Sequence, residues 1–222
     1  DDQIFYLRRK LDNYITGDSS LTKIYNWVGY SVQEAKDKRR VEINTIAEQF
    51  KRSDVENNVT TEKIKTLSSK GDLQDYKYIY IAAPGIGFPE IPELNTIVFN
   101  KYNGNDGLMN VFDIPKFKFK TEIISIPAFN TDGKKSYIGD GAPSMANAFI
   151  YSGCNAVNTS LWETSGDASY FFINEVYKLL AKKPDMSFFD AFTEVKRKMI
   201  RWEYDKTLSI PYYWAAFIYF GR

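Results

Sequence analysis

The segment Tyr78–Gly87 reads YIYIAAPGIG. From Tyr78 to Ala83 it is an unbroken run of aromatic, β-branched and small apolar residues, the composition of a strand covered on both faces. Pro84 and Gly85 end it, because proline has no N–H for a ladder and the pair favours a turn. In α/β sheets the carboxyl end of a buried strand is where ligands and chemistry collect. Pro84 brings no acid, base or nucleophile to that position.

Neighbouring segments repeat the pattern. Glu122–Ile126 (EIISI) reads as a second core strand, with FNTDGKK from Phe129 as its exit loop, and Ala156–Trp162 as a third. Thr96–Phe99 reads as a short strand, NGNDG at 103–107 as a turn, and Tyr212–Phe220 as a final aromatic strand after Pro211. Helical spacing fills the gaps. Ile43, Ile46, Ala47 and Phe50 mark one face of a helix over 32–51. Thr60 caps a short helix carrying Ile64 and Leu67 that stops near Gly71. Ser144–Ser152 is a short helix closed by Gly153, and Ser169–Lys182 is a helix that must stop before Pro184. Ser187 and Asp190 start another, with Phe188, Phe192, Val195, Met199 and Trp202 as its buried stripe. Ile4–Tyr14 is expected as a helix and Ile24–Tyr30 as a strand. Strands alternating with helices imply one domain, a three-layer α/β/α sandwich around a mostly parallel sheet.

The 222 residues are 44% hydrophobic and 16% aromatic, enough for a large core, and the net charge of +1 favours neither nucleic acid nor an anionic membrane as partner. No apolar run reaches the roughly 18 residues of a membrane span. With one cysteine, Cys154, no internal disulfide forms, and a reducing, cytoplasmic setting is expected. The opening Asp1-Asp2 suggests a piece of a longer protein. The most restrictive count is histidine, which is absent. Ser-His-Asp and Cys-His catalysis within this chain are excluded, as are zinc sites with histidine ligands. No cofactor is expected.

Local motifs have ordinary explanations. GIGFPE at 85–90 lacks a third glycine, and Pro89 blocks the helix that a phosphate loop needs. NGNDG has Ile114 where a calcium loop needs glutamate. Cys154 reads as a small core residue. Asp132, Asp140, Glu163 and Asp167 read as solvated loop acids, with no spacing that would pair them as glycosidase carboxylates.

From about Asn57 to Phe220 the chain resembles the CHAT domain, a caspase-like cysteine peptidase family related to separase. TTEKIKTLSSKGDLQDYKYIYIAAPG is similar to the helix and strand leading to the family's Ala-Thr-His-Gly motif. DGLMNVFDI at 106–114 is similar to a family turn, and EIISIPAFNT at 122–131 to the strand leading to Ala-Cys-Asn-Thr. SMANAFIYSGCNAVNTSLWETSGDAS at 144–169 and PYYWAAFIYFG at 211–221 resemble two further blocks, which are the most specific. Family members often follow helical repeat regions. The resemblance therefore implies a protein or peptide partner, including a helical-repeat region of the same or another chain.

The chain departs from the family at the reacting positions. Ala-Thr-His-Gly reads Ala82-Ala83-Pro84-Gly85, and Ala-Cys-Asn-Thr reads Ala128-Phe129-Asn130-Thr131. Proline carries no proton and phenylalanine forms no acyl intermediate, so the resemblance implies a pseudopeptidase. Gly85, Asn130, Thr131, Asp132, Trp162 and Asp167 are its candidate cleft residues. The alternative is a hydrolase of the same fold using Ser125, Thr131 or Ser136, with Lys134, Lys135 or a carboxylate as base. A purely structural module with its cleft filled is a third reading.

Overall fold

The computed structural model describes residues 32–56, 58–83, 85–87, 92–126, 129–131, 141–162, 164 and 166–221. The helix expected at Ile4–Tyr14 and the strand expected at Ile24–Tyr30 lie outside these residues. The chain forms two compact units, Asp1–Glu42 and Ile43–Arg222, with the division inside helix α1 (Val32–Ala47).

In the second unit, helix α2 (Thr61–Lys70) has the expected ends. Thr60 Oγ1 accepts from the Lys63 N–H, and Gly71 takes a left-handed φ of 86° to close the helix. Strands β1 (Tyr78–Tyr80), β2 (Gly85–Gly87), β3 (Thr96–Val98) and β4 (Leu108–Asn110) follow, then β5 (Ile123–Ile126) and β6 (Phe129–Thr131). Helix α3 (Gly141–Tyr151) leads to β7 (Ala156–Ser160). Helices α4 (Gly166–Lys182), α5 (Phe188–Ile200) and the one-turn α6 (Pro211–Trp214) precede the last strand, β8 (Phe217–Gly221).

The first sheet has the order β1-β5-β7-β8, parallel except for the antiparallel β8. Side chains along its strands alternate between two helical layers. Ile79, Ile124, Ile126 and Val157 pack with Ile64, Met145 and Phe149 of α2 and α3. Tyr78, Tyr80, Ile123, Ala156 and Phe217 pack with α4 and α5 through Phe172, Val176, Tyr177, Phe188 and Phe192. Phe172 and Phe217 stack with ring centroids 4.3 Å apart. The three-layer α/β/α architecture follows from these two apolar faces.

A second sheet, ordered β4-β3-β2-β6, was not expected from sequence. Its strands β3 and β4 contribute Ile97 and Met109 to the layer containing α2 and α3. Two segments are corrected by it: GIG at 85–87, expected as a turn, is β2, and FNT at 129–131, expected as a loop, is β6. Three-residue strands carry too little periodicity to be read locally, and their pairing is long-range.

Two corrections concern the C-terminal third. Trp202 is not in the buried stripe. Helix α5 ends at Ile200, and Trp202 adopts a left-handed φ of 62° with 61% of its surface exposed. Its N–H bonds to the Met199 carbonyl and that of Glu203 to Lys198, the pattern of a Schellman helix end. Tyr212–Trp214 is helix rather than strand, since Pro211 occupies its first turn, where the missing N–H costs nothing. Among the described residues no helix is long and apolar enough to cross a membrane.

Candidate functional site

β1 and β5 are parallel neighbours, so their carboxyl ends leave the first sheet side by side. Tyr78, Ile79 and Tyr80 face Ile123, Ile124 and Ser125, and the Ile81 N–H reaches the Ser125 carbonyl at 2.9 Å. Both chains then enter the second sheet together. β2 and β6 are again parallel partners, with Gly85 opposite Phe129, Ile86 opposite Asn130 and Gly87 opposite Thr131. The partner offset is 45 residues in the first pair (123 − 78) and 44 in the second (129 − 85).

The strand pairing thus brings Gly85, the last residue of AAPG (82–85), and Phe129–Thr131, the described part of AFNT (128–131), to one place, past the carboxyl edge of two adjacent parallel strands. Gly85, Asn130 and Thr131 share the β2–β6 pair, and Phe129 is the register partner of Gly85. Gly85, Ile86 and Gly87 are buried, and β2 lies between β3 and β6. Pro84 and Asp132, like Asp140, Glu163, Lys134, Lys135 and Ser136, lie outside the described residues.

Trp162 and Asp167 come from a different strand. Trp162 follows β7, which is parallel to β5 and therefore exits at the same edge of the first sheet. It is partly exposed, and its Nε1 donates to the Tyr212 carbonyl at 3.1 Å. Asp167 is exposed and occupies the first turn of α4, not a loop as expected. A carboxylate there complements the helix dipole.

Ser125, a hydroxyl candidate, is sealed in the core at 0% exposure. Its Oγ accepts from the Tyr177 hydroxyl at 3.0 Å, beneath helix α4. Burial pushes the Tyr177 phenol far above the ordinary tyrosine range, so it acts as a neutral donor rather than a base. Cys154 is also a core residue. Its thiol donates to the Ala156 carbonyl, and burial raises it to about 11, the reverse of what a nucleophilic cysteine needs. Among the described residues no acids or thiols converge into a metal-ligating group.

Ser125 belongs to a polar row across the first sheet that sequence reading missed, buried at Ser125 and Asn158 and partly exposed at Tyr80 and Tyr219. Tyr80, Ser125, Asn158 and Tyr219 are successive register partners across the first sheet. Asn158 is fully buried and its Nδ2 donates to the Ile218 carbonyl at 3.0 Å. The polar members of EIISI and AVNTS were its signal, since both interrupt apolar runs on the same face.

Among curated proteins none matches the chain. The family model described as the CHAT domain matches residues 23–222, a span that takes in both layers of helices, both sheets and the paired AAPG and AFNT segments. With that match over most of its length, and with the strand order placing its two motif segments together, the chain belongs to the CHAT domain family, which is caspase-like and peptidase-related.

Proposed function

We propose that the protein is a catalytically inactive caspase-like module that binds a protein or peptide partner. The observation that carries this reading is the pairing of Gly85 with Phe129 across β2 and β6. It supports a scaffold in which the family's two motif segments still meet, while the sequence puts Pro84 and Phe129 where a base and a nucleophile are needed. A base and a nucleophile act together, so losing both leaves neither to be rescued by the other. The buried Ser125 lends no support to a substitute serine nucleophile, because substrate has no path to it.

A cleft bordered by apolar residues suits an extended peptide, held by backbone pairing at a strand edge. The partner is a protein segment in the cytoplasm, with a helical-repeat region of the same or another chain as the leading candidate. Restoration tests the reading. Pro84→His with Phe129→Cys is expected to gain covalent labelling at position 129 by an acyloxymethyl ketone probe, beyond that of Phe129→Cys alone. Equal labelling of the double and single variants counts against a base position at 84.

A further inference from the structure

Among the described residues β8 ends the first sheet, with β7 along one side. The ladder with β7 fixes which backbone groups of β8 turn outward. The Leu161 N–H bonds to the Ala216 carbonyl at 2.8 Å, and these two residues continue the register in which Ser160 faces Phe217. Along an antiparallel pair, hydrogen-bonded and non-hydrogen-bonded positions alternate. Ala216, Ile218 and Phe220 therefore turn their N–H and C=O towards β7. Phe217, Tyr219 and Gly221 turn theirs the other way.

Lys196 of α5 meets this outward row at its first residue. Its Nζ donates to the Phe217 carbonyl, and the same nitrogen stands 4.7 Å from the centroid of the Phe192 ring and 6.0 Å from that of Trp214. Both rings are held by other groups. Phe192 packs edge-on to Phe172 at 5.2 Å, and the Trp214 Nε1 donates to the Ser209 carbonyl at 3.0 Å. Two residues further along α5, Lys198 meets Glu194 at 3.2 Å, whereas among the described residues no carboxylate draws Lys196 away from the carbonyl. A carbonyl and two ring faces all favour the charged ammonium, so they hold it over the edge of β8.

An uncovered edge strand is a template for another strand, and every copy of the chain carries the same β8. Two such strands laid antiparallel about a twofold axis are self-complementary. Their ladder needs the Phe217 carbonyl and space beside it. Here the carbonyl already has a charged donor. An incoming strand would have to bury that ammonium or pull it off both rings, and either costs free energy. We propose that Lys196 closes the β8 edge of the first sheet against pairing with a second copy of the chain. The lysine acts by where its charge is held, and the surface it closes is separate from the β2–β6 pair.

Sedimentation velocity of the intact chain over a wide concentration range tests this. The unaltered protein is expected to stay monomeric. Lys196→Ala uncovers the carbonyl and is expected to form a discrete dimer of twice the mass. In that dimer, deuterium exchange of the Phe217 N–H, followed by NMR, is expected to slow at least about tenfold, because the new ladder takes up this outward group. Lys196→Leu keeps an apolar stem beside the rings but ends two atoms short of the ammonium, and it serves if the alanine variant does not fold. A folded variant that remains monomeric overturns the proposal. So does an unaltered protein that is already dimeric. A variant dimer with unchanged Phe217 exchange overturns it too, because its copies then join elsewhere than along β8.

Discussion

Lys196 of α5 is partly buried with its Nζ donating to the Phe217 carbonyl, and this has a measurable consequence for stability. Its folded-state value is depressed to about 8 from 10.5, so between these values the unfolded chain binds more protons than the folded one. Stability from this group therefore rises with pH across that window, with a slope of at most ~1.4 kcal/mol per pH unit. Below it the folded state carries the cost of a partly desolvated ammonium. Replacing the amine by Lys196→Met is expected to flatten that rise. Urea denaturation of both proteins at several alkaline pH values checks it, because the tyrosines titrate alike in the two and cancel. Gly153 gives a backbone counterpart. It holds a left-handed φ of 102°, and an added Cβ would collide with the Phe119 carbonyl oxygen. Gly153→Ala is expected to destabilise the fold by at least ~2 kcal/mol in the same assay.

At the scale of elements, the helix starts are the most local devices and the most legible. Thr60 and Ser187 each accept from the N–H three residues on, and both were readable from the sequence pattern. Thr60→Ala and Ser187→Ala are each expected to cost ~1 kcal/mol in thermal or urea unfolding. The long helices and the core strands β5 and β7 were equally plain, since 13 to 17 residues of helical spacing or four to five buried strand residues outweigh noise. What failed had short range or needed a distant partner. FNT is a strand through its pairing with GIG 44 residues away, GIG pairs with both FNT and β3, and glycine has no strand preference of its own. The end of α5 was misjudged because Trp202 continues the apolar spacing, while the helix ends two residues earlier, at Ile200, and is closed through the Met199 and Lys198 carbonyls.

For the whole molecule, the two apolar faces of the first sheet make the fold a matter of alternation, and alternation is visible in sequence. The candidate site is not built that way. The residue identities Pro84 and Phe129 were legible, but the pairing of Gly85 with Phe129 depends on β1 lying beside β5 and β2 beside β6. Of the candidate cleft residues, Gly85, Asn130 and Thr131 share one strand pair, whereas Trp162 and Asp167 belong to the exit of β7 and to α4. Spacing along the chain held no sign of that split. The polar row Tyr80–Ser125–Asn158–Tyr219 was hidden for the same reason, since its members are neighbours only through strand register.

The central claim, a peptidase scaffold without peptidase chemistry, is tested most directly by exposing the intact protein to fluorophosphonate and acyloxymethyl ketone probes and measuring its mass. The expected result is an unmodified protein with both probes, under conditions in which an active cysteine or serine hydrolase is fully labelled. A single stoichiometric adduct on the folded protein, lost when the chain is first unfolded, contradicts the account.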